Sequence, residues 1–258
     1  GELQRLGYAS VAAFNAREMG RLMPEVAFID MAARHFPDHN AVAYGAAEGS
    51  AAAQRDFGAK GFIGTSTDQT AHWFGQNEGT GTVSHSFIAA AGSTLGAAKR
   101  FRSRHPDKPF ILLPDFYGQE VTDSLEVARH FNQEAAASQL MFRLDTHGDR
   151  FLEGLDGDKS YALIKASAPH LLERNLSEVE RKWLFGKGVS AAALFHFRQQ
   201  LDGAGFDRVV IAASSGFSSE KCALFAEAQA PVNVIGTGSY VPRHTEETYA
   251  KAEILGYE

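Results

Sequence analysis

Arg143 and Asp145, in the run FRLDTHGD, lie two residues apart, so on a strand both side chains project from one face. A guanidinium there can hold a phosphate or a planar carboxylate through two parallel hydrogen bonds. A neighbouring carboxylate can hold ribose hydroxyls, or Mg2+ through water. The same pair can equally be an ion pair that closes a strand end. Ser214-Ser215-Gly216 and Gly236-Thr237-Gly238 are small turns whose consecutive N–H groups and hydroxyls can cradle a phosphate, or simply connect a strand to a helix. His85, in GTVSHSF, can serve as an acid–base group or as a nucleophile toward a phosphoryl donor; an isolated histidine is also often structural. No histidine stands at i+4 of His85 and HExxH is absent, so the residues do not read as a zinc site. With the segments 30–34, 64–68 and 115–117, these residues supply cations, an imidazole, carboxylates and donor-rich turns. That combination suits a phosphorylated, metal-bound substrate.

Positioning so many polar groups takes a repeated strand-end arrangement. Short apolar runs at 26–30, 62–66, 110–115, 140–145, 208–213 and 232–236 read as buried strands. Helical patterns stand between them: 1–22, 44–57, 67–74, an alanine-rich run from the GTVSHS loop to about 105, 122–132, 189–201 and 219–228. The polar and glycine residues fall at the C-terminal ends of the strands, where parallel α/β folds build their sites. No GxGxxG comes after the first strand, which favours an α/β barrel over an open dinucleotide-binding sheet. Residues 155–188 are longer and more charged, and read as an excursion from one domain spanning 1–258.

The composition excludes several alternatives. With 258 residues the chain is long enough to bury a core without disulfide or metal staples. It is 44% hydrophobic and 22% charged, the balance of an ordinary globular protein rather than a disordered one. A net charge of -6 argues against nucleic acid as a bulk partner, and no apolar run approaches a membrane span. The lone Cys222 sits in a helical pattern and reads as a packing residue compatible with a reducing compartment, so the cytoplasm is the expected location.

The ordered set GTSTD, GTVSHSF, FRLDTHGD, AASSGFS and VIGTGSYVP, spanning about 28–242, resembles the nicotinate phosphoribosyltransferase family of type II phosphoribosyltransferases. The resemblance implies an irregular (β/α) barrel and phosphoribosyl transfer from phosphoribosyl pyrophosphate to nicotinate. The products would be nicotinate mononucleotide and pyrophosphate, in a salvage route to NAD. It also implies Mg2+, ATP as a co-substrate, and a homodimer with shared active sites. By the same resemblance Arg34 contacts the phosphorylated substrate beside the pyridine, and Arg143 and Asp145 position the base and the ribose–Mg2+ end. Asp115 lies in the same pocket. Gly188, Ser214, Ser215, Gly216, Gly236, Thr237 and Gly238 surround the 5'-phosphate. His85 matches the histidine that is transiently phosphorylated in ATP-coupled members, where added charge would preorganise Mg2+ and pyrophosphate. Ser66 stands where amide-using relatives carry aspartate; a serine can donate to nicotinate, whereas a carboxylate would repel it.

Two departures accompany the resemblance. DMAARHF places Met31 where relatives have an aromatic ring, and FRLDTHGD has Thr-His-Gly in place of Ser-Gly. The family's N-terminal domain has no counterpart after Gly1, so the chain is expected to be a C-terminal portion of a larger protein. Competing expectations are a nicotinamide- or quinolinate-using relative, a barrel acting on another sugar phosphate, and an inactive phosphate-binding barrel that regulates a partner.

Overall fold

The computed structural model describes residues 2–36, 39–57, 61–81 and 83–243. Six short strands, β1 (Ala27–Asp30), β2 (Phe62–Thr65), β3 (Phe110–Leu112), β4 (Leu140–Leu144), β5 (Val210–Ala213) and β6 (Val234–Thr237), form one parallel sheet in the order β2-β1-β6-β5-β4-β3. The ladder from β6 to β1 joins the last strand to the first, as barrel closure requires. Among the described residues β2 and β3 share no ladder. Instead the amide of Thr80 donates to Thr65 of β2, and that of Val83 donates to Ile111 of β3. The chain on either side of residue 82 therefore stands between the two sheet edges. The result is a curled α/β half-barrel of six strands.

Eleven α-helices are found among the described residues: α1 (Glu2–Leu22), α2 (Tyr44–Phe57), α3 (Asp68–Ala71), α4 (His85–Ala91), α5 (Thr94–Arg104), α6 (Glu120–His130), α7 (Asn132–Ala136), α8 (Gly157–Ser167), α9 (Glu178–Phe185), α10 (Ala191–Gly203) and α11 (Ser219–Glu227). The strands are almost wholly buried, as expected where helices cover a parallel sheet. Phe28 stacks on Phe62 between β1 and β2, and Phe142 of β4 meets Phe197 of α10 edge-on. Residues 155–188 form α8, a 3-10 turn and α9, with α8 and α9 packed on α10.

The expected single helix up to residue 105 is two helices. Gly92 takes φ +79° and accepts the end of α4, and the Ser93 hydroxyl then caps α5 through the amide of Gly96. Cys222 is buried in α11, and burial pushes its thiol pKa up to about 12, consistent with a packing residue. No helix among the described residues is long and apolar enough to cross a membrane.

Candidate active site

All six strands run the same way, so their C-terminal ends open at one end of the sheet. Arg143 is the penultimate residue of β4 and only 5% exposed. Its Nη1 donates to the Met31 thioether at 3.4 Å, its Nη2 stands 4.0 Å from Asp145, and its buried Nε has no hydrogen-bond partner. Burial depresses its pKa, Asp145 offsets this, and Arg34 and Asp115 are near enough to act on it with opposite signs. Arg34 lies on a 3-10 turn at 32–34 and is exposed. His35 beside it has a lowered pKa, mainly from burial and then from Arg34.

His85 is the first residue of α4, placed by the Ser84 cap. Its Nε2 lies 3.0 and 3.1 Å from the two carboxylate oxygens of Asp115, just beyond β3. The Asp115 carbonyl accepts from Arg150 Nη2 at 2.9 Å, and the same nitrogen bridges 2.6 Å to the fully buried Glu120. Glu120 also accepts from Thr146 and from the amide of Glu153. This network ties the loops after β3 and β4 to α6. Sequence reasoning missed Glu120 and Arg150, because a bond between residues thirty apart leaves no local spacing to read.

The turns expected to surround a phosphate are placed differently from one another. Gly188 has φ +83°, and a Cβ there would approach Gly148 Cα to 3.2 Å. Its amide is already spent on the Arg150 carbonyl, so Gly188 locks the loop after β4. Gly238 is required by close approach, since an added Cβ would lie 2.5 Å from both the Met31 carbonyl and His35 Cδ2; at Gly236 it would lie 2.6 Å from Met31 Cε, the far end of a side chain that must shift to admit it. Thr237 is buried, with its hydroxyl donated to the Phe217 carbonyl at 2.9 Å. The Ser214 amide is bonded to Leu144, whereas Ser215 (φ +91°) and Gly216 (φ +67°) form an exposed left-handed turn ahead of α11. Lys221, also missed, lies beneath that turn.

Ser66 is half-buried after β2, with its amide on the Asp30 carbonyl. The nearby Asp68 carboxylate accepts from the Gly79 amide at 2.8 Å and so holds the loop beyond α3. Asp30, the carboxylate that ends β1, is fully buried; it accepts from the Ala32 amide of the turn that follows and, across to β2, from the Thr65 hydroxyl. No cluster of three or more histidine, cysteine, aspartate or glutamate side chains able to hold a metal by itself occurs among the described residues.

No family model matches the chain, and no curated protein matches it. Among solved structures, it is similar to the nicotinate-nucleotide pyrophosphorylase of Pyrococcus furiosus, with a TM-score of 0.62 and 20% identity over 91% of this chain and 47% of that one. It is also similar to the nicotinate phosphoribosyltransferase of Porphyromonas gingivalis, with a TM-score of 0.52 and 13% identity over 94% of this chain and 51% of that one. The chain thus spans about half the length of each. At these identities the likeness shows the fold alone, the α/β half-barrel that this chain shares with them.

Proposed function

We propose that this chain carries the phosphoribosyl-transfer site of a protein that joins nicotinate to phosphoribosyl pyrophosphate, releasing nicotinate mononucleotide and pyrophosphate. The observation that carries this reading is Arg143: a buried guanidinium with an unpartnered Nε, flanked by Asp145, Asp115 and Arg34 at one strand-end opening. A buried cation left with an open donor is costly unless an anion meets it. Phosphorylated and carboxylated substrates supply such anions.

In the transfer, the bond from the ribose anomeric carbon to pyrophosphate breaks and the pyridine nitrogen lone pair forms the new bond. Nicotinate needs no general base, so the chain's residues act by placement and charge. Arg143 and Arg34 hold anionic groups of the two substrates, and Asp145 orients the ribose end. Asp145 also fits Mg2+, which takes one or two carboxylates and completes its shell with phosphate oxygens and water. When bound there, Mg2+ would neutralise charge on the pyrophosphate.

The His85–Asp115 pair supports the ATP-coupled form of the reading. A carboxylate facing Nε2 makes that nitrogen the donor in a neutral ring, leaving the Nδ1 lone pair free to accept a phosphoryl group. Ser66 supports nicotinate over nicotinamide, because the neighbouring carboxylate of Asp68 is engaged with Gly79. A homodimer with shared sites belongs to the same proposal, and sedimentation at working concentration tests it.

The deciding experiment offers radiolabelled nicotinate, nicotinamide and quinolinate with phosphoribosyl pyrophosphate, with and without ATP. Formation of nicotinate mononucleotide from nicotinate supports the reading, and turnover of another base alone reassigns the substrate. Binding of phosphoribosyl pyrophosphate with no turnover of any base favours the regulatory barrel.

A further inference from the structure

Lys221 is a buried cation that the proposed chemistry leaves unused. It lies in the first turn of α11, is 3% exposed, and forms no ion pair with a carboxylate among the described residues. Its Nζ donates to the Ser215 carbonyl at 3.0 Å and stands over the rings of Phe217 and Phe225, 4.2 and 5.3 Å from their centroids. The charged and titratable groups acting on it are Cys222 on its own helix and Lys182 of α9, and burial presses its pKa down to about 8. Keeping an ammonium there is costly, so its contact with Ser215 needs a reason.

The reason lies in the geometry of the peptide. A trans peptide directs its C=O and N–H to opposite sides. With the Ser215 carbonyl drawn inward to Lys221, the N–H of Gly216 in the same peptide faces outward. Thr237 acts in the same sense on the Phe217 carbonyl, so the N–H of Ser218 also faces away from the interior. Neither the Gly216 nor the Ser218 amide donates to another group among the described residues. The successive positive φ values at Ser215 and Gly216 turn the chain sharply just ahead of α11, where both residues are exposed.

We propose that Lys221 and Thr237 are positioning residues that hold two carbonyls of the 215–218 turn inward, so that the amides of Gly216 and Ser218 meet a phosphate group of the substrate. This rests on the phosphoribosyl reading above. It also revises the part expected of Thr237, which acts on the phosphate through Phe217 rather than by touching it.

The test is calorimetric titration of the purified protein with inorganic phosphate and with phosphoribosyl pyrophosphate, for wild type, Lys221→Met, Lys221→Arg and Thr237→Val. We expect both affinities to fall about tenfold in Lys221→Met and Thr237→Val. Lys221→Arg restores most of the loss, and the Gly216 and Ser218 amide resonances that shift with phosphate in wild type stop shifting in Thr237→Val. If Lys221→Met fails to fold, the near-isosteric Thr237→Val decides alone. Wild-type affinity and unchanged amide shifts in Thr237→Val overturn the proposal. Turnover of nicotinate or quinolinate by the wild type, measured alongside, separates the two readings. Turnover with unaltered variants sinks only the positioning role, whereas anion binding dependent on Lys221 and Thr237 without turnover sinks only the transferase reading.

Discussion

His85 Nε2 lies within 3.1 Å of both carboxylate oxygens of Asp115, although thirty residues separate them and they sit on different loops. Asp115 is itself held through its carbonyl by Arg150, so the pair is braced from behind.

That brace gives the first prediction. Asp115→Asn can no longer hold the Nε2-protonated ring as a carboxylate does. If His85 accepts a phosphoryl group from ATP, its labelling rate falls roughly 10²-fold in this variant. Incubation with γ-labelled ATP and acid-labile phosphate counting measures it. Labelling at the wild-type rate removes Asp115 from that step.

Asp145 stands 4.0 Å from Arg143, beyond hydrogen-bond reach, so no side-chain hydrogen bond between them is lost on its removal. We expect Asp145→Ala to melt within a few degrees of wild type and to lose turnover by about 10³-fold or more. A melting curve beside an initial-rate assay checks both. Near-normal turnover would contradict the role of Asp145.

Gly236 and Met31 provide a coupled pair. Gly236→Ala drives a methyl to within 2.6 Å of Met31 Cε, whose sulfur touches Arg143. The single variant should cost about 1–3 kcal/mol in chemical denaturation. Met31→Ala in the same chain should return part of that cost, giving a coupling of about 1 kcal/mol. Strict additivity would mean that the two residues do not meet.

These contacts explain which features were legible in the sequence. The six strands and their polar C-terminal ends could be read from short apolar runs bounded by glycine and polar residues, a signal carried by adjacent positions. The break at Gly92-Ser93 was equally local, a glycine C-cap and then a serine N-cap, yet the alanine-rich run around it read as one helix. Other roles depended on distant residues. Gly236 and Gly238 are small because Met31 and His35 pack on them, Gly188 because Gly148 does, and Lys221 looks like an ordinary helix lysine until Ser215, Phe217 and Phe225 surround it. Glu120 and Arg150 escaped notice for the same reason: neither stands in a motif of its own.

Asp30 yields a prediction about pH. Its buried carboxyl has a pKa raised to about 6 from an ordinary 3.8, chiefly by desolvation. Between those values the folded state holds the proton more tightly than the unfolded one, so this group's contribution to stability falls as pH rises through the window. The difference in unfolding free energy between wild type and Asp30→Asn should drift by ~2–3 kcal/mol from pH 4 to pH 6.5, with the variant gaining as pH rises. Denaturant titrations at four pH values measure it. A flat difference would place the Asp30 pKa near its ordinary value.

Ser66 carries the prediction about the base. It stands just after β2 beside the buried Asp30 brace, and the Asp68 carboxylate two residues on is held by the Gly79 amide. A carboxylate introduced by Ser66→Asp would therefore be the one free to face a ligand. It would repel the nicotinate anion and accept a hydrogen bond from the nicotinamide amide. A like-charge juxtaposition combined with a lost donor is worth about 1–3 kcal/mol per interaction. The ratio of kcat/KM for nicotinate to that for nicotinamide should then fall by roughly 10- to 100-fold. Competition between the two labelled bases in one reaction reads the ratio directly and is insensitive to the amount of active protein. An unchanged ratio in a variant that still turns over would show that Ser66 does not face the base, and the choice of acid over amide would then fall to the arginines.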